Sequence, residues 1–285
     1  MRITQDLLHK LAKETIKQRQ SEEPDLHAAY LTGSILDKHP LLGGTTDIDM
    51  VLVHKYQAPI ERETKALSKE VSLDIVHKKQ EDYKQYRQLR QDSFVGYPLT
   101  RYHIRMFDTD HWLEFLQASV SADFQKSENV LARVNALANT ARENWFKLIQ
   151  AAPDSHLSWL KLYLQSLSQA AHAVSGLIGP PLTTRRFMMT FREQVEKLGV
   201  PDLYSDLTGL LGYSEENEGN MINWVDHLSL EFESLKDLPS LPAHLSSCRQ
   251  AYYIDALQAF VQSGDVRIAL WPLLRVWLDV QLVTE

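Results

Sequence analysis

Two short runs of apolar, β-branched residues near the N-terminus carry carboxylates in the surroundings where a carboxylate is least favourable. The runs are Thr-Asp-Ile-Asp-Met-Val-Leu-Val at 46–53 and Val-Ser-Leu-Asp-Ile-Val at 71–76. Segments of this composition read as strands, and burying an uncompensated charge in one is strongly unfavourable. In a strand, residues i and i+2 point to the same face. Asp47 and Asp49 therefore project together, while Ile48, Met50 and Leu52 face the other way into a core. Two neighbouring carboxylates resist ionisation unless a cation or a proton lies between them. Mg²⁺ suits that position, because it is hard, takes oxygen ligands and combines one or two carboxylates with substrate phosphates.

Asp74 sits at the centre of the second run and joins the same cluster if the two strands pair. A third carboxylate allows a second metal ion, or a base for an attacking hydroxyl. Ahead of both runs lies Tyr-Leu-Thr-Gly-Ser at 30–34. Gly33 lets the backbone approach a ligand closely. Ser34 adds a hydroxyl, and the residues after it can open a helix whose N–H groups bind phosphate.

These elements, in this order, resemble the signature of the DNA polymerase β-type nucleotidyltransferase superfamily. That signature is an apolar residue, Gly, then Gly or Ser, a gap, Asp–apolar–Asp/Glu, and later an apolar–Asp–apolar strand. Here Gly33-Ser34, the gap Ile35 to Thr46, Asp47-Ile48-Asp49-Met50 and Leu73-Asp74-Ile75 match it, and Thr32 departs from it. The resemblance covers about residues 27–77. It implies an enzyme that binds two Mg²⁺ ions and an NTP, with ATP the expected donor. It implies that Asp47, Asp49 and Asp74 are the metal ligands and catalytic residues, and that Gly33 and Ser34 cradle the β/γ-phosphates.

Along the chain, residues 3–19 have a helical period, 27–33, 47–54 and 71–77 read as strands, and 59–70 as a helix opened by Pro59. A fourth strand is expected at 102–107, with Asp108-Thr109-Asp110 capping a helix that begins near His111. From there helical periodicity takes over, in segments 111–151, 155–178, 184–198, 202–212, 221–236 and 245–281. Breaks are expected at Pro153, Gly179-Pro180-Pro181, Gly199-Val200-Pro201, Gly212, Pro239, Pro242 and Gly264. The fold class is thus α+β: a small mixed-sheet domain over 1–115 and an all-helical domain over 116–285. That layout resembles bacterial small-molecule nucleotidyltransferases of the aminoglycoside-modifying type, which implies a hydroxyl-bearing small-molecule acceptor.

Two cations in the helical part are candidate nucleotide ligands. Lys161 lies in the otherwise apolar stretch Ser158–Gln165, and the resemblance implies that a lysine from this part meets the phosphates. The alternative is a lysine that snorkels to solvent. Arg185 and Arg186 follow Thr183-Thr184 in the first turn of a helix, where the helix dipole disfavours cations. Arg185 either reaches the triphosphate or forms a solvated or interfacial ion pair.

Net charge is −7, from 30 Lys+Arg against 37 Asp+Glu. This disfavours broad binding of nucleic acid, although a tRNA or protein acceptor, as for toxin-like enzymes, stays open. A catalytically silent nucleotide-binding module is the remaining alternative. The single cysteine, Cys248, cannot form an internal disulfide, and no signal-peptide pattern or membrane-length apolar run occurs. A cytoplasmic protein with no membrane partner is expected.

Overall fold

The computed structural model describes residues 3–150, 155–238 and 240–285. It divides into two compact units, Met1–Lys126 and Ser127–Glu285.

The first unit opens with α1 (Gln5–Glu22), whose start is capped by Thr4 Oγ1 accepting from the Leu7 amide at 3.3 Å. Its stripe of Leu8, Ala12 and Ile16 is buried, as the helical period requires. Then come β1 (Leu26–Thr32), β2 (Thr46–His54), β3 (Arg62–Ala66) and β4 (Val71–Lys79). Short helices α2 (Tyr86–Arg90) and α3 (Ser93–Leu99), strand β5 (Arg105–Asp108) and helix α4 (Trp112–Phe124) complete it. The five strands form one mixed sheet in the order β3-β4-β2-β1-β5. β2 and β4 run parallel, and the other neighbours are antiparallel.

The expected helix over 59–70 is instead β3. Arg-Glu-Thr-Lys-Ala has little apolar surface to bury, so neither period was visible in it. An edge strand tolerates such a composition, because one of its sides faces solvent and charged residues there discourage further pairing. The strand expected at 102–107 begins as a 3₁₀ turn over Tyr102–Ile104 and becomes β5 only at Arg105. The expected cap does form: Asp108 Oδ1 and Oδ2 accept from the amides of Leu113 and Glu114 at 2.8 and 3.0 Å. The expected loop before β2 contains a tight two-residue turn. Gly43 and Gly44 both take positive φ, and Leu42 and Thr45 exchange backbone hydrogen bonds at 3.0 Å. The first unit runs to Lys126, beyond the sequence-based boundary of 115/116, because α4 packs on α2, α3 and β5.

The second unit is helical throughout its described residues: α5 (Ser127–Gln150), α6 (His156–Ser175), α7 (Phe187–Lys197), α8 (Asp202–Leu210), α9 (Glu215–Glu218), α10 (Met221–Ser234), α11 (Gln250–Gln262) and α12 (Leu270–Thr284). The expected segment 111–151 is two helices, α4 and α5, and 245–281 likewise divides into α11 and α12. Expected breaks at Pro153 and Pro239 lie outside the described residues; those at 179–181, 199–201, 212 and 264 fall between helices. The core contains Phe187 stacked on Trp271 at 4.1 Å between ring centres, with Leu228, Phe232, Leu257 and Leu278 buried around the α10–α12 packing. Ile268, Leu270, Trp271, Leu273, Val276 and Leu278 of the C-terminal apolar run are buried in this unit. Among the described residues, no helix is long and apolar enough to cross a membrane.

Candidate functional site

The parallel pairing of β2 with β4 sets the site. Its register places Asp49 opposite Asp74 and Asp47 opposite Ser72. In a parallel pair, residues in register share a face, so the alternation in β2 and the pairing with β4 bring three carboxylates together. One oxygen from each of Asp47, Asp49 and Asp74 lies within 4.8 Å of the others. Asp47 and Asp74 are buried and Asp49 is half-buried. Ile48, Met50 and Leu52 are buried on the other face, as the alternation predicts.

Gly33 completes one wall. It follows β1 directly, pairs through Thr32 with Asp49, and has φ +67°. A Cβ at this position would stand 1.7 Å from Asp49 Oδ2, so the carboxylate rests on the bare glycine Cα. Only glycine satisfies both demands, the backbone conformation and the close approach. Ser34 lies in the 3₁₀ turn Gly33–Leu36, half-buried, with its Oγ 3.5 Å from Thr46 Oγ1. The expected helix opening after Ser34 is that single short turn.

Sequence reasoning missed Arg62. It stands on β3, which was read as a helix. Its Nε donates to Asp74 Oδ1 at 2.7 Å and its Nη2 to Asp74 Oδ2 at 2.6 Å. The Asp74 side chain is 1% exposed and that of Arg62 44% exposed. A buried carboxylate is thus compensated by a guanidinium reaching in from the surface, in the fork geometry that makes such pairs strong. The only sequence signal was a charge placed on an edge strand next to an apolar one.

The hard oxygen donors of Asp47, Asp49 and Asp74 fit a divalent cation such as Mg²⁺, provided Arg62 yields Asp74. Gly33 makes room for the Asp49 carboxylate itself, which fills the space that the Cβ of any other residue would take.

Lys161 and Arg185 belong to the second unit. Lys161 is exposed on α6. Arg185 is 3% exposed, lies 3.4 Å above the Tyr252 ring and donates through Nη1 to the Tyr252 carbonyl at 2.9 Å. Arg249 also stacks on that ring, at 3.7 Å. The guanidinium of Arg185 is therefore embedded in the core of the helical unit as it stands.

No family model matches this chain, and a comparison with curated proteins finds none that matches it.

Proposed function

We propose that this protein is a Mg²⁺-dependent nucleotidyltransferase that moves an NMP, most simply AMP from ATP, to a hydroxyl of a small-molecule acceptor and releases pyrophosphate. The observation that carries this reading is the convergence of Asp47, Asp49 and Asp74, with Asp49 seated on Gly33.

Asp47 and Asp49 project from one face of β2 and would hold Mg²⁺, with Asp74 as a further ligand. When bound, the ion neutralises phosphate charge and lowers the pKa of the acceptor hydroxyl. The hydroxyl oxygen attacks the α-phosphorus, and Asp74 takes its proton. The bond from that phosphorus to the bridging oxygen breaks, and pyrophosphate departs with the electron pair. The turn Gly33-Ser34 offers its backbone and hydroxyl to the β/γ-phosphates. Arg62 must release Asp74 for this step. Its side chain is half-exposed and can turn its charge to a phosphate instead.

Calorimetric titration of ATP, GTP, CTP and UTP with Mg²⁺ tests the reading. Wild type should bind one of them, and Asp47→Asn/Asp49→Asn protein should not. Binding of no NTP, or equal binding by the variant, overturns it.

A further inference from the structure

On the opposite face of the same two strands, a second group of metal-ligating side chains converges. His54 ends β2 and His77 lies in β4, one residue out of phase with Asp49 and Asp74 and hence on the other side of the sheet. Both are buried, at 1% and 2% exposure. His54 Nε2 lies 2.9 Å from His77 Nδ1 and 3.7 Å from Oε2 of Glu23, at the C-terminal end of α1. Among the described residues this is the second of two places where three potential ligand atoms lie within 4.8 Å of one another.

We propose that Glu23 Oε2, His54 Nε2 and His77 Nδ1 form a site for Zn²⁺ that leaves the fourth tetrahedral position to water. The donor chemistry fits: two imidazole nitrogens and a carboxylate are a common zinc set, and zinc prefers tetrahedral geometry. Ligand atoms around a tetrahedral zinc stand about 3.3 Å apart, given bonds of about 2.0–2.1 Å. The observed 2.9 and 3.7 Å bracket that spacing. Glu23 Oε2 is buried and has no hydrogen-bond partner among the described residues.

The surroundings orient each ligand. His77 Nε2 lies 3.0 Å from Glu63 Oε1. A carboxylate only accepts, so the proton of His77 sits on Nε2 and its Nδ1 lone pair faces the site. This is the carboxylate–histidine arrangement that fixes the tautomer of metal-bound imidazoles. Arg19 ties the two carboxylates together: Nη1 donates to Glu23 Oε1 at 2.8 Å and Nη2 to Glu63 Oε1 at 2.6 Å. Glu23 thus keeps Oε2 turned inward. Without metal, the one N–H of His54 points from Nε2 to His77 Nδ1. With metal, that hydrogen moves to Nδ1 of the same ring and the ion takes its place, so no net proton is released from the neutral ring. Glu23 also lines a cavity of about 340 Å³ with Asp25, His27 and Lys55. Bound there, zinc would pin the end of α1 to β2 and β4 beneath the carboxylate face.

The test uses the full chain stripped with EDTA, then titrated with Zn²⁺ under saturating Mg²⁺. Native mass spectrometry should show one zinc per chain, and X-ray absorption at the zinc edge should show two imidazoles. His54→Gln and Glu23→Gln should each weaken binding at least tenfold, and Glu63→Gln about tenfold. Asp47→Asn/Asp49→Asn should bind as wild type does. Zinc that fails to bind, that carries no imidazole, or that is lost only in the aspartate variant overturns the proposal. If His54→Gln does not fold, Glu23→Gln at the cavity edge and the absorption spectrum of wild type decide.

Discussion

Arg62 closes on both oxygens of Asp74, with Nε on Oδ1 at 2.7 Å and Nη2 on Oδ2 at 2.6 Å, so that a surface cation compensates a buried acid of the carboxylate cluster. Removing the guanidinium takes two charge-assisted hydrogen bonds from that acid, with a cost of about 1–3 kcal/mol. Arg62→Met should therefore unfold at lower urea in EDTA. Mg²⁺ should restore more stability to the variant than to wild type, because the ion replaces the lost positive charge. Equal Mg²⁺ effects on both proteins would separate Asp74 from the metal.

Gly33 bears the carboxylate of Asp49 on its Cα. Gly33→Ala puts a methyl group where Oδ2 now lies and forces φ +67° on an L-residue. Asp49 must move. We expect a loss of about 1–3 kcal/mol in stability from the strained backbone and loss of Mg²⁺-dependent nucleotide binding by calorimetry. Unchanged binding would show that Asp49 does not need its present position.

Asp47→Asn and Asp49→Asn each remove a ligand but keep size and shape. Circular dichroism and melting should stay close to wild type, since each change also relieves repulsion between like charges. Turnover should fall by a factor of about 10³ or more, several kcal/mol of transition-state stabilisation. An Asp49→Asn protein with wild-type turnover would exclude the proposed mechanism.

Stability should fall in mild acid. His172 is buried on α6, with Nδ1 2.7 Å from the Ser168 carbonyl and Nε2 3.1 Å from the Leu182 carbonyl. Burial holds its pKa below the ordinary 6.5, against the upward pull of those two carbonyls, and burial lowers His27 in the same sense. A depressed histidine pKa means that the unfolded chain takes up the proton first. The contribution is complete above pH 6.5 and is lost as pH falls below it, levelling off once the folded form also protonates. Urea midpoints from pH 8 to pH 5 should show this decline, and His172→Gln should make it shallower.

Much of the first unit was legible in the sequence because its signals are local. The β-branched runs gave β1, β2 and β4 within a residue or two, Asp108 was recognisable as a cap, and the alternation in β2 put Asp47 and Asp49 on one face. β3 was not legible, since Arg62–Ala66 is polar throughout and becomes a strand only by pairing with β4. The limit of the first unit at Lys126 was also out of reach, because α4 has the same period whichever unit it packs on.

What the sequence determined by itself is therefore the set of carboxylates and the shared face of Asp47 and Asp49 on β2, consequences of period and burial, whereas the need for glycine at 33 rests on the fold that seats Asp49 against it. The tertiary structure alone decided that β4 lies parallel beside β2, placing Asp74 opposite Asp49. It alone brought Arg62 to Asp74, His77 and Glu23 to His54, and Glu63 to His77. These partners are 12 to 31 residues apart or come from different elements, and only the pairing register, set by burying one face of each strand, places their charges within bonding distance.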